Sequence, residues 1–152
     1  MKKRMLFAAL CLGLCLALCA CGGKQEKKAV AYKDGTYTGQ SEVYEGDEEG
    51  NGDGYGVVRL TLEGGKITAC EFTTYELDGT LKDENYGLIS DGQVGNKDFY
   101  NKAQKAIQAA SVYAGQLVET GDVEKIDVIS GATYNYNDFK DAVRDALRKA
   151  EG

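Results

Sequence analysis

Hydrophobic and polar positions alternate most cleanly over residues 58–62, where Val58, Leu60 and Leu62 are apolar and Arg59 and Thr61 are not. A period of two is the signature of a half-buried strand. Glu63-Gly64-Gly65-Lys66 then reads as a turn, and Ile67 to Thr73 as a second β-rich run, so the pair predicts a hairpin. Further on the period changes. Phe99, Ala103, Ala106, Ile107, Ala110, Ala114 and Leu117 recur at three and four, which predicts an amphipathic helix from about Lys97 to Val118. Phe139, Ala142, Val143, Ala146, Leu147 and Ala150 mark a final helix, with Asn137 or Asp138 placed to cap its start. Between the helices, Ile126, Val128 and their neighbours predict a short strand that leads into Ser130-Gly131-Ala132-Thr133. Near the front, Asp34-Gly35 supplies a turn and Thr36-Tyr37-Thr38 a short strand. Gly46 to Gly56 is an acidic, glycine-rich loop, and Leu77 to Asn96 is an aperiodic excursion with two turns. The sum is an α+β fold: a mostly antiparallel sheet with two main helices, in one small domain.

The first 20 residues do not belong to that domain. Lys2, Lys3 and Arg4 precede an apolar run from Leu6 to Ala20 that is too short to span a bilayer. The run ends in Leu18-Cys19-Ala20-Cys21, which resembles the lipobox of bacterial lipoproteins, with Cys19 where a small Ala or Ser is usual. The resemblance implies cleavage before Cys21 and lipidation of its sulfur. Residues 1–20 are thus expected to be a signal peptide, 21–31 the lipidated cysteine and a polar tether, and 32–152 the domain. The expected location is the cell membrane, lipid-anchored on its extracytoplasmic face.

Charge and cysteine content sharpen this. Taking Lys2, Lys3 and Arg4 from the 18 basic residues leaves 15 against 24 Asp and Glu, a net charge of −9. Such a surface repels nucleic acid and anionic headgroups, so attachment would rest on the lipid. Cys11, Cys15 and Cys19 leave with the signal and Cys21 takes lipid, so Cys70 alone remains and no intrachain disulfide is possible. Cys70 lies among Ile67, Ala69 and Phe72 and reads as a small buried hydrophobe.

Ser130-Gly131-Ala132-Thr133 is, by itself, a small-residue joint between a strand and a helix. Such a joint suits a phosphate. Gly131 permits close backbone approach, first-turn N–H groups are free to donate, and the helix dipole favours an anion. Thr133 adds a hydroxyl as a phosphoester anchor. Taken with Asp127, the stretch resembles the flavin-attachment motif Asp-x-x-Ser/Thr-Gly-Ala-Thr of the FMN-binding domain family. Tyr32, Asp34, Gly35, Tyr37 and Gly39 match the family's Tyr-x-Asp-Gly-x-Tyr-x-Gly opening, and the elements follow in the family's order. The resemblance implies FMN esterified to Thr133 by a separate flavin transferase, with Ser130, Gly131, Ala132 and Asp127 in the cofactor-binding motif. It gives Asp127 a role in recognition by the transferase; alone, Asp127 reads as a solvated strand-end carboxylate. Asn135 stands where many members carry Thr or Ser, and Asn85-Tyr86-Gly87 matches a ring-side Gly-Tyr-Gly turn only weakly. Tyr86, Tyr134 and Tyr136 are flat enough to pack on a flavin, and each reads equally as an ordinary half-buried tyrosine.

Other chemistries are poorly supplied. The chain has no His, which removes Ser-His-Asp catalysis and the usual His-based zinc and haem sites. No catalytic residue and no metal ligand is assigned. Asp47, Glu49, Asn51 and Gly52 mimic the start of a calcium loop, but its twelfth position is Val58 where a bidentate Glu is needed. The function implied by the resemblance is electron relay between a membrane donor, a quinone or NADH dehydrogenase system, and an extracytoplasmic acceptor. Related domains occur in the sodium-pumping NADH:quinone reductase, in the Rnf complex and in extracellular electron-transfer lipoproteins. The alternatives are a flavin-dependent reductase of a small acceptor and a non-redox surface-binding lipoprotein.

Overall fold

The computed structural model describes residues 31–47 and 52–152. The expected signal peptide, Cys21 and the tether as far as residue 30 lie outside the described residues, as do Glu49 and Asn51 of the calcium-like loop. Three strands, β1 (Gly35–Gln40), β2 (Tyr55–Glu63) and β3 (Lys66–Tyr75), form an antiparallel sheet in the order β1-β2-β3. The hairpin between β2 and β3 turns on Gly64 and Gly65, whose φ values of 58° and 73° are those a two-residue type I′ turn demands. A shift of register at Thr61/Leu62 lets Leu62 oppose Ile67.

One face of the sheet is apolar. Gly39, Val58 and Phe72 lie in register across the three strands, with Leu60 and Leu62 beside them. Both long helices cover this face: α1 (Lys97–Thr120) over β3, and α2 (Thr133–Ala150) over β1 and β2. Val58, Leu60, Tyr113, Leu117, Phe139 and Val143 are fully buried between the layers. Burying side chains of this size stabilises by about 1.5–3 kcal/mol each. Phe72 meets Phe139 edge-on at 5.0 Å. The other face is solvated and carries an ion pair, Arg59 to Glu71, at 3.9 Å. α2 lies so close to β1 that a Cβ on Gly39 would fall 2.0 Å from the Ala142 carbonyl oxygen.

The first helix begins and ends as its residues dictate. Asn96 accepts a hydrogen bond from the Phe99 N–H, and Gly121, in the left-handed region, returns its N–H to the Leu117 carbonyl. The α+β architecture and both helices match the sequence reading, but two local expectations do not hold. No strand forms around Ile126 and Val128. A single 3₁₀ turn, Val123–Lys125, is followed by irregular chain. Its N–H groups are taken by α1 side chains instead of a neighbouring strand: Asp127 N–H donates to Gln116 and Ile129 N–H to the Tyr113 hydroxyl. Nor do Asn137 and Asp138 cap the last helix. α2 starts at Thr133 with Ala132 in the cap position, so both residues lie inside it.

Candidate functional site

The joint ahead of α2 is built by one buried side chain. Tyr113, fully buried on α1, accepts from the Ile129 N–H at 3.1 Å and donates to the Ala132 carbonyl at 3.2 Å. Between these two points Ile129-Ser130-Gly131-Ala132 closes a turn, with Ala132 N–H donating to the Ile129 carbonyl at 2.9 Å. Gly131 is its third residue and has φ 81°, a conformation that costs an L-residue about 1–2 kcal/mol. The chain leaves the turn directly into α2, whose first intrahelical bond runs from Tyr136 N–H to the Ala132 carbonyl. No side chain caps this helix start. The first-turn N–H groups, which have no intrahelical acceptor, lie at the positive end of an 18-residue dipole.

Thr133 is the first residue of that helix and is exposed. It lines a cavity of about 270 Å³ together with Gly131, Ala132, Tyr134 and Asn135. Phe99, Ala103, Ala106 and Ile107 of α1 give it apolar lining. Thr74, Tyr86 and Gly52 complete the lining, and Lys82 and Lys102 bring positive charge into it. A third cation is close: the ammonium of Lys105 lies 3.4 Å from where a Cβ on Gly131 would stand.

The lining side chains are held in place. Asn135 donates to the Ala106 carbonyl at 2.9 Å and ties α2 to α1. The Tyr134 hydroxyl donates to Asp47 at 2.7 Å, and its ring lies 4.8 Å from that of Tyr44. Tyr86 meets Phe99 edge-on at 5.8 Å, and burial pushes its hydroxyl up to about 12. Gly52 is where Tyr86 needs room, since a Cβ there would come 2.1 Å from the Tyr86 hydroxyl. Lys82 lies over the Tyr86 ring, 4.7 Å from its centroid, and donates to the Asp53 carbonyl. Burial lowers the Lys82 pKa, against the pull of Asp53, Asp138 and Glu76.

The structure thus gathers Thr133, Gly131 and Ala132 at one cavity and leaves Ser130 and Asp127 outside its lining. Both of these are exposed, and Asp127 is fixed through its backbone alone. Of the three tyrosines singled out, Tyr86 and Tyr134 line the cavity. Tyr136 instead packs against Tyr113 at 5.8 Å, with Lys140 over its ring. The sequence reading missed Lys82, Lys102, Phe99 and Thr74. Phe99, Ala106 and Ile107 carried a signal, the apolar stripe of α1, but it reads as core until the helix is placed. Cys70 is half-buried rather than fully so, and burial, with Glu71 beside it, pushes its thiol up to about 12.

An uncapped helix start, a reachable hydroxyl and nearby lysines suit a phosphate. Apolar lining with aromatic neighbours suits a planar ring system. The residues present therefore fit a phosphorylated flavin. Among the described residues, no group of three or more Cys, Asp or Glu is placed to hold a metal, and no helix is long and apolar enough to cross a membrane.

Of the comparisons with known proteins, the family profile agrees with this fit. The sequence profile of the FMN-binding domain matches residues 50–148. A crystal structure of a Clostridium perfringens protein superposes with a TM-score of 0.55 at 22% identity, covering 78% of this chain and 88% of that one. A solution structure of a Clostridium thermocellum protein aligns at 26% identity with a TM-score of 0.43, covering 79% of this chain and 93% of the other. No curated protein matches the chain.

Proposed function

The chain belongs to the FMN-binding domain family, and we propose that it is a lipid-anchored, extracytoplasmic electron carrier whose FMN is esterified to Thr133. The observation that carries this reading is the position of Thr133. Its exposed side chain stands on the first residue of α2, at the mouth of a cavity shaped for a phosphate and a flat ring.

Each part of the chain has a task. The Thr133 oxygen would take the FMN phosphoryl group from a flavin dinucleotide held by a separate flavin transferase, with the nucleoside monophosphate leaving and the hydroxyl proton lost. Gly131 supplies the positive φ of the turn that leads into Thr133, and the α2 start would offer N–H donors to the phosphate oxygens. Lys102 and Lys105 add positive charge on the same side. Phe99, Ala103, Ala106 and Ile107 would shield the ring system from water, with Tyr86 and Tyr134 as aromatic neighbours in the same lining. FMN, when bound, supplies the one- or two-electron chemistry; the protein supplies position and electrostatics. Covalent attachment is useful outside the cytoplasm, where free FMN is dilute and a reversible site would empty by mass action.

Lipidation of Cys21 would hold the carrier at the membrane beside a quinone or NADH dehydrogenase donor. The acidic surface supports a protein or small-molecule partner over nucleic acid. Intact mass of the domain produced with a flavin transferase tests the reading. An added FMN less one water, surviving denaturation and lost in Thr133→Ala, is expected. An unmodified wild-type chain beside a labelled control substrate would sink it.

A further inference from the structure

Among the lysines at the cavity, Lys82 is different. Lys102 and Lys105 are exposed, whereas Lys82 is half-buried in the lining. Its backbone N–H is fixed to the Thr74 carbonyl at 2.9 Å, which seats the residue against the end of β3. Its ammonium is held from two sides, by the Asp53 carbonyl and by the face of Tyr86. Among the described residues it makes no ion pair within 4 Å; Asp53, Glu76 and Asp138 act on it at longer range. A half-buried cation without a contacting carboxylate is costly to keep. A Met or Leu would cover Tyr86 without that cost. The charge therefore calls for an explanation in the cavity.

We infer that Lys82 sets the reduction potential of the bound flavin, by presenting a fixed positive charge to the negative charge that reduction creates. The inference rests on the FMN reading above. Two electrons and one proton convert oxidised FMN to a reduced ring bearing one negative charge over N1 and the C2 carbonyl. Lys82, Thr74 and Tyr86 are polar lining residues that would match the pyrimidine edge, and the apolar α1 residues of the lining would match the dimethylbenzene edge. A charge in this half-buried place is less screened than those of Lys102 and Lys105, and it favours the reduced form. Lys82 is thus a tuning residue for the cofactor, distinct from the attachment residue Thr133.

The test compares wild type, Lys82→Met, Lys82→Gln and Lys82→Arg, each flavinylated, by spectroelectrochemical titration with dithionite as reductant. Lys82→Met and Lys82→Gln are expected to shift the midpoint to more negative potential and to raise the pKa of the reduced flavin. Lys82→Arg keeps the wild-type midpoint. A purely structural Lys82 would change the denaturation midpoint and leave the potential alone, and that result overturns the inference. Reductive methylation of wild type needs no Lys82 variant. Lys82 is expected to be several-fold less modified in the flavin-loaded protein than in Thr133→Ala, and equal modification overturns the inference too. Absence of the FMN adduct from wild type would remove the underlying reading and this one with it. An adduct with an unmoved potential removes only this one.

Discussion

The Tyr113 hydroxyl and the Ala132 carbonyl oxygen lie 3.2 Å apart, joining the middle of α1 to the residue before Thr133. The same hydroxyl accepts from Ile129 N–H, so one side chain fixes both ends of the Ile129–Ala132 turn. Tyr113→Phe keeps the ring contacts and removes both bonds. The expected loss is about 1–3 kcal/mol, since the Ile129 N–H is left without its partner. Denaturant unfolding reads this, and the rate of flavinylation should fall in parallel. A variant as stable and as readily flavinylated as wild type would show that the turn is held by other means.

Gly131→Ala forces an L-residue to φ 81°. The cost is about 1–2 kcal/mol, with the loop relaxing away from the geometry that presents Thr133. Ser130→Ala, at an exposed neighbour, should change stability by less than about 0.5 kcal/mol. Equal destabilisation by the two substitutions would contradict the turn as described.

Gly39→Ala should be among the most damaging single-atom changes in the sheet. The new methyl would lie 2.0 Å from the Ala142 carbonyl oxygen and 2.5 Å from the Ala146 nitrogen, both rigid backbone. β1 and α2 must separate, at about 1–3 kcal/mol or more. Thermal unfolding would report it.

Asp138 gives a pH dependence of definite sign. Burial pushes its carboxyl up to about 6, against the pull of Lys82. Its folded pKa lies above its unfolded value, so its contribution is fully present below about pH 3.8 and is lost as pH rises through about 6. Asp138 is partly exposed, which holds the effect to on the order of 1–2 kcal/mol. Asp138→Asn should therefore gain stability relative to wild type between pH 4 and 7. Glu124 works in the opposite direction. Lys140 and Arg144 pull its pKa down to about 2, so its stabilisation is present above pH 4.5 and lost as pH falls toward 2. A difference between Asp138→Asn and wild type that is flat with pH would refute the assignment.

Cys70 should react slowly. With its thiol raised to about 12, little thiolate is available at pH 8. Iodoacetamide is expected to label it many-fold faster in denaturant than in the folded domain. Equal rates would mean an open β3 edge.

The hairpin was legible because its two strands bury one face only, so Val58, Leu60 and Leu62 repeat at two. The helices were legible from their stripes. The strand expected at Ile126 was not there because apolarity does not say who satisfies the backbone. Gln116 and Tyr113 do so here, from a helix ten and more residues upstream. Thr133, Gly131 and Ala132 were picked out by the motif and Tyr86 by its ring, and most of the cavity they line was not. Lys82 and Thr74 come from an aperiodic excursion and the end of β3, and only the folded chain brings them to the same cavity as the start of α2. Ser130, in the turn, and Asp127, in the irregular chain ahead of it, are strong in the motif but exposed and outside the cavity lining.

α2 has Thr133 and its cavity at one end and the first described residues of the chain at the other: Lys33 N–H donates to the Ala150 carbonyl, and Tyr32 pairs with Glu151. Eighteen residues at about 1.5 Å each separate them by about 27 Å. Any pull on the chain ahead of Tyr32 is therefore delivered to the end of the helix opposite Thr133. On the proposed function the helix would act as a strut, with the tether joined at its foot and the flavin carried at its tip.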